Sequence, residues 1–121
     1  MLYPAHENLP PIMRGYSWDH RFLFEVYGQP FNFTGYSLDV EVLNDFDSTV
    51  FVARWTTGNE ITLTDDGMIE MKLSSMQTNA LPEGSYVWVA SLTTPNFGGP
   101  IYTYPIICGK VKIVTCDKVG L

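Results

Sequence analysis

Hydrophobic and polar residues alternate along most of this chain with a period of two. Because successive side chains of a β-strand point to opposite faces, this period predicts strands with one buried face. The clearest run gives one face to four apolar residues: Tyr86, Trp88, Ala90 and Leu92. Further strands are predicted over residues 17–27, 36–43, 50–55, 61–63, 68–73 and 101–115. A single helical turn is predicted within residues 74–82, capped by Ser74 or Ser75.

Turn-forming residues separate these runs. Asp66-Gly67 is a strong hairpin signal, and Pro82-Glu83-Gly84 turns the chain into the clearest strand. Gly109 interrupts the last run, and we expect a bulge or kink there. About seven or eight short strands with turns between them predict an all-β domain of two packed antiparallel sheets. A small barrel is the alternative architecture.

The first fifteen residues lack this period. Pro4, Pro10 and Pro11 interrupt them, so residues 1–15 are predicted to form an extended arm that is not part of the sheet. The arm is too apolar for a tail that stays in water, which predicts a strap that orders against a neighbouring subunit. A disordered tail is the alternative. The arm residues expected to contact the partner are Leu2, Tyr3, Leu9, Ile12 and Met13.

The length of 121 residues fits one domain, which we expect at residues 16–116, followed by a short tail at 117–121. A domain of this size hides about two-thirds of the surface of its unfolded chain, so its core needs no metal or disulfide. Cys108 and Cys116 would lie about 26 Å apart on one strand, at about 3.3 Å per residue. This separation is too long for a disulfide, so both cysteines are expected to be free thiols.

The charge of the chain narrows the classes of partner. Seven basic and 13 acidic residues give a formal charge of −6, and no cluster of Lys and Arg offers a stripe that would bind phosphates. We therefore expect neither a nucleic acid nor a membrane as partner. The sequence has no run of about 20 apolar residues, as a membrane helix requires, and no secretory signal at its start. These features predict folding in a cytosol.

The reactive residue types do not form a pattern that supports catalysis. His6 and His20 have no Cys or Ser neighbour in a nucleophile motif, and Cys108 has no base nearby in sequence. Calcium binding would need oxygen ligands at suitable spacing, and the turn carboxylates lack the spacing of an EF-hand. These carboxylates are Asp45, Asp47, Asp65 and Asp66. We expect no catalytic residue, no metal and no cofactor.

The chain is rich in aromatic residues, with seven Phe, seven Tyr and three Trp. Such residues fill cores or anchor protein–protein contacts. Trp18, Trp55 and Trp88 are expected in the core. Phe97 lies at the tip of a glycine-rich loop and is expected to contact a partner. An aromatic contact surface is the alternative to ordinary strand packing for Tyr16, Trp18, Tyr102 and Tyr104.

Several short motifs occur in a fixed order over residues 16–115. The first is a strand that ends in Gly28-Gln29-Pro30 and is followed by Phe31-Asn32-Phe33-Thr34-Gly35-Tyr36-Ser37-Leu38. The later ones are Ile61-Thr62-Leu63, Gly67, Met71 to Ser74, Ala80-Leu81-Pro82-Glu83-Gly84-Ser85-Tyr86 and Gly109-Lys110-Val111-Lys112-Ile113. Their order resembles the small immunoglobulin-like domains of phage virions, best known as the N-terminal domains of baseplate upper proteins. Phe33 stands where that family usually has Leu.

The resemblance implies an immunoglobulin-like antiparallel β-sandwich and a structural protein that is not an enzyme. It implies a place in a phage baseplate or tail, in head decoration or in a fibre anchor. Such a protein is made in the cytoplasm of the bacterial host and is present in many copies in a symmetric particle, where it contacts other virion proteins or further copies of itself. The alternative function is a carbohydrate- or receptor-binding module, because exposed aromatic rings stack on sugars.

Overall fold

The computed structural model describes residues 5–95 and 98–115. Within these residues almost all regular structure is extended. The strands are β1 (Ala5–His6), β2 (Ile12–Met13), β3 (Trp18–Leu23), β4 (Glu25–Val26), β5 (Gln29–Pro30), β6 (Ser37–Leu43), β7 (Phe51–Thr56), β8 (Ile61–Leu63), β9 (Met68–Leu73), β10 (Gly84–Thr93) and β11 (Thr103–Val114). A short helix, α1 (Ser75–Asn79), lies between β9 and β10.

The strands form two main sheets and one small hairpin. The large sheet has the order β1–β11–β10–β6–β7, and β2 also pairs with β11. The small sheet has the order β3–β9–β8, and β4 pairs with β5 in the hairpin. All these pairings are antiparallel except those of β1 and β2, which run parallel to β11. The predicted all-β sandwich is confirmed, and the barrel alternative is wrong because the large and small sheets do not join.

The core lies between the two sheets. Alternate residues of β10 are buried, from Tyr86 to Leu92, as the period of two predicts. Phe22 of the small sheet meets Trp88 of the large sheet edge to face, with 6.3 Å between ring centroids. The rings of Trp18 and Trp55 lie 6.0 Å apart. Burial of side chains of this size stabilises a fold by about 1.5–3 kcal/mol each, so the expectation that all three tryptophans fill the core is confirmed.

Local signals placed the short elements correctly. Ser74 caps α1 through its side chain, which accepts a hydrogen bond from the Gln77 amide, while the Gln77 side chain accepts one from the Ser74 amide. Gly67 closes the β8–β9 hairpin with a φ of +89°, where a Cβ would lie 2.9 Å from the carbonyl oxygen of Phe24. The strand predicted over residues 17–27 is interrupted at Phe24, and the hairpin of β4 and β5 follows it.

The N-terminal segment (residues 5–13) belongs to the large sheet, so the prediction of an arm outside the sheets is wrong. The amides of Glu7 and Leu9 donate to the carbonyls of Cys108 and Lys110, at 2.9 and 3.0 Å. Pro10 and Pro11 lie between β1 and β2, where the chain runs along the edge of β11. An edge strand tolerates prolines because only one of its sides needs to donate hydrogen bonds.

Gly109 has a different role from the one predicted. The irregularity in the β10–β11 ladder falls between Ala90 and Ser91, which pair with Ile107 and Pro105, whereas Gly109 pairs regularly with Trp88. A Cβ at Gly109 would lie 1.8 Å from the carbonyl oxygen of Glu7. That carbonyl accepts a hydrogen bond of 2.8 Å from the Trp88 indole nitrogen. The missing side chain therefore lets the N-terminal segment approach β11 and bond to the core.

Two further expectations meet the structure only in part. Cys108 is half-buried on β11 and forms no disulfide with another described residue. Cys116 and the tail at 117–121 lie outside the described residues. Over residues 5–95 and 98–115, no helix has the length and apolar character needed to cross a membrane.

Candidate interaction surface

Several connections between strands meet at one end of the sandwich. We call this surface the loop end and define it as residues 24–36, 57–59, 64–67, 94–95 and 98–104. The contact between the connections is direct. The Phe24 amide donates to the Gly67 carbonyl at 2.8 Å, and the Phe31 amide donates to the Phe24 carbonyl at 3.0 Å. Binding surfaces are commonly built on loops that a rigid scaffold positions in this way.

An aromatic cluster supports the loop end from below. The ring of Phe31 contacts those of Phe33 and Tyr36 edge to face, at centroid distances of 4.9 and 5.1 Å. Phe24 adds further contacts at 5.9 Å to Phe31 and 6.0 Å to Phe33. Phe33 is buried in the core, whereas the other three rings are partly exposed. Such ring pairs contribute about 0.5–1.5 kcal/mol beyond their burial, so the cluster holds the loops in place.

Two shallow cavities open on this surface and share Thr34 and Tyr36. One has a volume of about 410 Å³ and is lined mainly by polar side chains and backbone, including Asn59, Thr64 and Asp65. The other has a volume of about 470 Å³ and lies between Tyr36 and the β10–β11 connection. Its remaining lining residues are Thr34, Thr94, Pro95, Gly99, Pro100 and Tyr102. Volumes of this size are at the small end of ligand sites.

The most exposed aromatic pair lies beside the second cavity. The rings of Tyr102 and Tyr104 stack at 6.2 Å with an angle of 22° between their planes. They are 52% and 48% exposed, and the neighbouring Ile101 is 54% exposed. Thr94 holds the connection because its amide donates to the Tyr102 carbonyl at 2.9 Å and its hydroxyl accepts from the Tyr102 amide at 3.0 Å. The stacked rings therefore lie beside a pair of hydrogen bonds that joins Thr94 to Tyr102.

The loop end carries negative charge only. Its acidic residues are Glu25, Asp65 and Asp66, and its sequence contains no Lys or Arg. The Asp66 carboxylate accepts a hydrogen bond from the Thr64 hydroxyl and thus shapes the β8–β9 turn. Without a cation to compensate, this surface repels phosphate, sulfate and other anionic groups. Its chemistry suits a neutral or basic partner that offers apolar contacts and hydrogen-bond donors.

The three predicted contact residues that the structure describes do not form an exposed surface together. Leu2, Tyr3 and Phe97 lie outside the described residues. Leu9 and Ile12 are buried in the chain's own core, so the prediction that they bind a neighbouring subunit is wrong for this conformation. Met13 is partly exposed, but it lies at the β2 end of the large sheet, away from the loop end. Tyr102 and Tyr104, which the sequence offered as members of an aromatic contact surface, are both exposed in the structure.

Sequence reasoning missed the contribution of Tyr36 and Ile101 to this surface. The alternation over residues 36–43 gives Tyr36 the spacing of a core residue, but it is only partly buried and lines both cavities. A signal existed at Ile101, because residues 101–105 come before the regular apolar–polar alternation of β11, and the structure exposes all five. Apolar and aromatic residues that come before the regular alternation of a strand lie outside the part of that strand that covers the core.

The residues considered for catalysis or metal binding are spread over several strands and loops of the fold. The His20 ring packs between Trp18 and Phe22, at 6.1 and 5.5 Å, and its Nε2 is buried without a hydrogen-bond partner among the described residues. The Asp45 carboxylate accepts from the Asp47 amide at 2.9 Å within the β6–β7 loop. His6 is exposed on β1. In the described part of the chain, no three His, Cys, Asp or Glu side chains are close enough to hold a metal ion.

Comparison with known proteins assigns no family to the chain, because no family model matches it and a search of curated proteins finds no significant match. What the loop end can bind is therefore inferred from its own residues. It combines a supported aromatic cluster, two shallow cavities and a stacked tyrosine pair with negative charge. This combination suits binding to a protein surface or to a neutral sugar.

Proposed function

We propose that the protein is a non-enzymatic structural component of a phage virion that docks onto another virion protein through its loop end. The observation that carries this proposal is the stacked and exposed pair of Tyr102 and Tyr104. Tyrosine is enriched at protein–protein contacts because it buries a large ring and keeps a polar group for hydrogen bonding. Both rings are already fixed by stacking, so docking costs little side-chain entropy.

The strand order supports an immunoglobulin-like assignment. Immunoglobulin-type sandwiches combine one sheet that contains strands B, E and D with a second that contains G, F, C and, in many members, C′. The small sheet β3–β9–β8 and the run β11–β10–β6–β7 of the large sheet follow these orders. Tyr86 supports the same assignment, because its hydroxyl donates to the carbonyl of Pro82 at 3.1 Å near the start of β10, as a tyrosine corner does.

The two lines of support point to the same class of protein. The motif order over residues 16–115 resembles phage virion domains, and the strand order agrees with the immunoglobulin-like fold of that family. Baseplate, tail, head decoration and fibre anchor are all compatible with a small sandwich whose binding surface is at one end. In each of these places binding depends on burial of apolar surface and not on turnover.

Mass spectrometry of purified particles tests this function. Phage that encode the chain should contain it at fixed copy number, and Y102A/Y104A should fold but be absent from the particles. Phe46→Ala is the matched control, because Phe46 is also exposed but lies in the β6–β7 loop, outside the loop end. A chain that is missing from wild-type particles, or Y102A/Y104A incorporated as well as F46A, contradicts the proposal.

A carbohydrate-binding module is the second candidate, and one observation favours it. Tyr102 and Thr34 line one cavity, and Thr34 is shared with the other cavity, which Asn59 and Asp65 also line. Together they offer the mixture of aromatic and polar groups that neutral sugars require. Trp18 makes no such contribution because it is buried in the core. A glycan array with the wild-type chain and Y102A/Y104A separates the two functions. Binding of a defined glycan that the variant loses supports the module, and the virion proposal predicts no glycan signal.

A further inference from the structure

The outer face of the large sheet has an apolar centre. Val87 and Val89 alternate with the core residues of β10 and are partly exposed on this face. Val87 pairs with Leu43 of β6, which is buried but does not belong to the core cluster between the sheets. Val89 pairs on its other side with Cys108 of β11, which is half-buried. Apolar side chains therefore lie in the middle of a face over which residues 5–95 and 98–115 place no second layer.

Charges of opposite sign flank this apolar centre. Asp39 and Glu41 lie on β6, on one side of β10. Arg54 bonds to Asp39 at 2.8 Å, and this hydrogen bond and the charge of Asp39 raise the pKa of the Arg54 guanidinium above its ordinary value. That side of the face keeps a net negative charge. Lys110 and Lys112 lie on β11, on the other side of β10, and form no ion pair with the described residues.

The strand order makes this face complementary to itself. β10 is the middle strand of the large sheet, with β11 on one side and β6 on the other. A two-fold axis parallel to β10 and lying between two copies places β10 against β10 and exchanges β6 with β11. Lys110 of one copy then faces β6 of the other copy. Glu41 on that β6 strand lies about 7 Å further along the strand direction than the point that Lys110 faces. The two long side chains span this distance. The valines of the two copies meet at the centre.

We propose that a second copy of this chain docks on the outer face of the large sheet and forms a two-fold symmetric pair. Contacts of this kind are isologous, so each Lys110–Glu41 contact occurs twice. The apolar centre supplies burial, and the flanking charges fix the relative orientation of the copies. The dimer uses a surface distinct from the loop end, so Tyr102 and Tyr104 stay available to another partner. The dimer proposal therefore does not rest on the proposed function.

The size of the face sets the expected strength of the pair. The four long strands β11, β10, β6 and β7, each about 4.8 Å wide and paired over about seven residues on average, give a flat area of roughly 450 Å² per copy. This area is below the roughly 800 Å² per partner of a standard stable interface. We therefore expect a dissociation constant of about 1–100 µM for the isolated protein. In an assembly with many copies, linkage to neighbouring subunits strengthens such a contact.

Sedimentation of the purified chain over a range of concentrations tests the pair. The wild-type protein should pass from monomer to dimer as its concentration rises. Lys110→Glu and Glu41→Lys each turn two attractive contacts into repulsions and should weaken the dimer about tenfold. E41K/K110E exchanges the two charges and should restore the wild-type constant to within about threefold, because the contact joins these positions across the axis.

Two further variants make the result specific. Lys72→Glu is the matched control, because Lys72 is exposed on the small sheet, where it pairs with Glu70, and its reversal should leave the dimer unchanged. Val89→Glu places a charge at the centre and should abolish the dimer, while thermal unfolding verifies that the monomer remains folded. A monomer at all concentrations up to about 1 mM overturns the proposal. Equal effects of K72E and K110E, or a failure of E41K/K110E to restore the dimer, overturn it as well.

Discussion

The N-terminal segment and the loop end have similar sequence features, but one is buried in the fold and the other is exposed. Both contain prolines, and both carry apolar residues outside the clear alternation. The sequence predicts partner contacts for Leu9, Ile12 and Met13, and gives such contacts as the alternative to strand packing for Tyr102 and Tyr104. In the structure, Leu9 and Ile12 of the segment are buried, whereas Ile101, Tyr102 and Tyr104 beside the loop are about half exposed. Apolar residues outside a strand pattern therefore serve either the fold or a partner, and their composition alone does not decide between the two.

What separates the two regions is the presence of an open sheet edge. The N-terminal segment runs beside the free side of β11 and finds carbonyls there that accept its amides. Gly109 leaves room for the Glu7 carbonyl, which reaches the Trp88 indole. The loop end joins strands that are already paired, so its tyrosines have no sheet to cover. The following predictions test this contrast through the free energy of unfolding.

Gly109→Ala should have the largest effect. Its Cβ would lie 1.8 Å from the Glu7 carbonyl oxygen and 2.6 Å from the carbonyl carbon, so the N-terminal segment has to leave its position. The loss of Leu9 and Ile12 burial should lower the free energy of unfolding by about 4 kcal/mol in urea denaturation. Gly99→Ala is the control, because no described atom lies within 4 Å of its Cβ position. Similar effects of the two substitutions would contradict the role given to Gly109.

Ile12→Ala should follow, with a loss of about 3 kcal/mol in the same measurement, because it opens a cavity in a fully buried site. Its neighbour Met13 is 39% exposed, compared with 0% for Ile12. Met13→Ala should therefore cost less than about 1 kcal/mol. The two residues are adjacent in sequence and differ mainly in the face of β2 that they occupy. Equal losses would show that the segment does not hold its register on β11.

Asn8→Ala should have a smaller effect. The Asn8 side chain accepts a hydrogen bond of 3.0 Å from the Lys110 amide, and both groups are near solvent. Loss of one such bond costs about 1 kcal/mol, because water replaces part of it. Asn59→Ala is the counterpart at the loop end, where the Asn59 side-chain Nδ2 donates to the Thr56 hydroxyl at 3.0 Å within a local turn. We expect thermal unfolding to respond to N8A more than to N59A, and the reverse order would weaken the contrast.

Y102A/Y104A should have the smallest effect on stability, within about 0.5 kcal/mol, because exposed side chains contribute little to folding. Urea denaturation measures this value on the same protein that is used for the virion incorporation test. Deletion of a large core side chain costs roughly 2–5 kcal/mol. A loss of about 2 kcal/mol or more would therefore show that the tyrosine pair belongs to the core. The variant would then no longer separate binding from folding.

Much of the fold follows from local sequence. The burial of alternate residues in β9 and β10, the Ser74 cap and the Asp66-Gly67 hairpin each depend on residues a few positions apart. The place of the N-terminal segment depends on contacts across the whole chain, such as those from Asn8 to Lys110 and from Glu7 to Trp88, which are 102 and 81 positions apart. No local period shows which sheet edge is open, so the sequence, with Pro4, Pro10 and Pro11, predicts an arm outside the sheet.

The candidate site was predictable only in part for the same reason. Tyr102 and Tyr104 were candidates because they are aromatic, but their exposure depends on how far β11 extends beyond the core. Tyr36 has the spacing of a core residue, yet it stands at the end of the alternation beside the cavities. The charge pattern on the outer face of the large sheet depends on which strands are neighbours, which the sequence does not state.

Hydrogen exchange of the intact protein tests the central contrast most directly. The amides of Glu7 and Leu9 bond to carbonyls of β11, so they should exchange only with the global unfolding that also exposes the amides of β10. Exchange of Glu7 and Leu9 at the rate of a free peptide, while β10 stays protected, would mean that residues 5–13 form a detached arm. That result would contradict the account of the N-terminal segment as part of the fold.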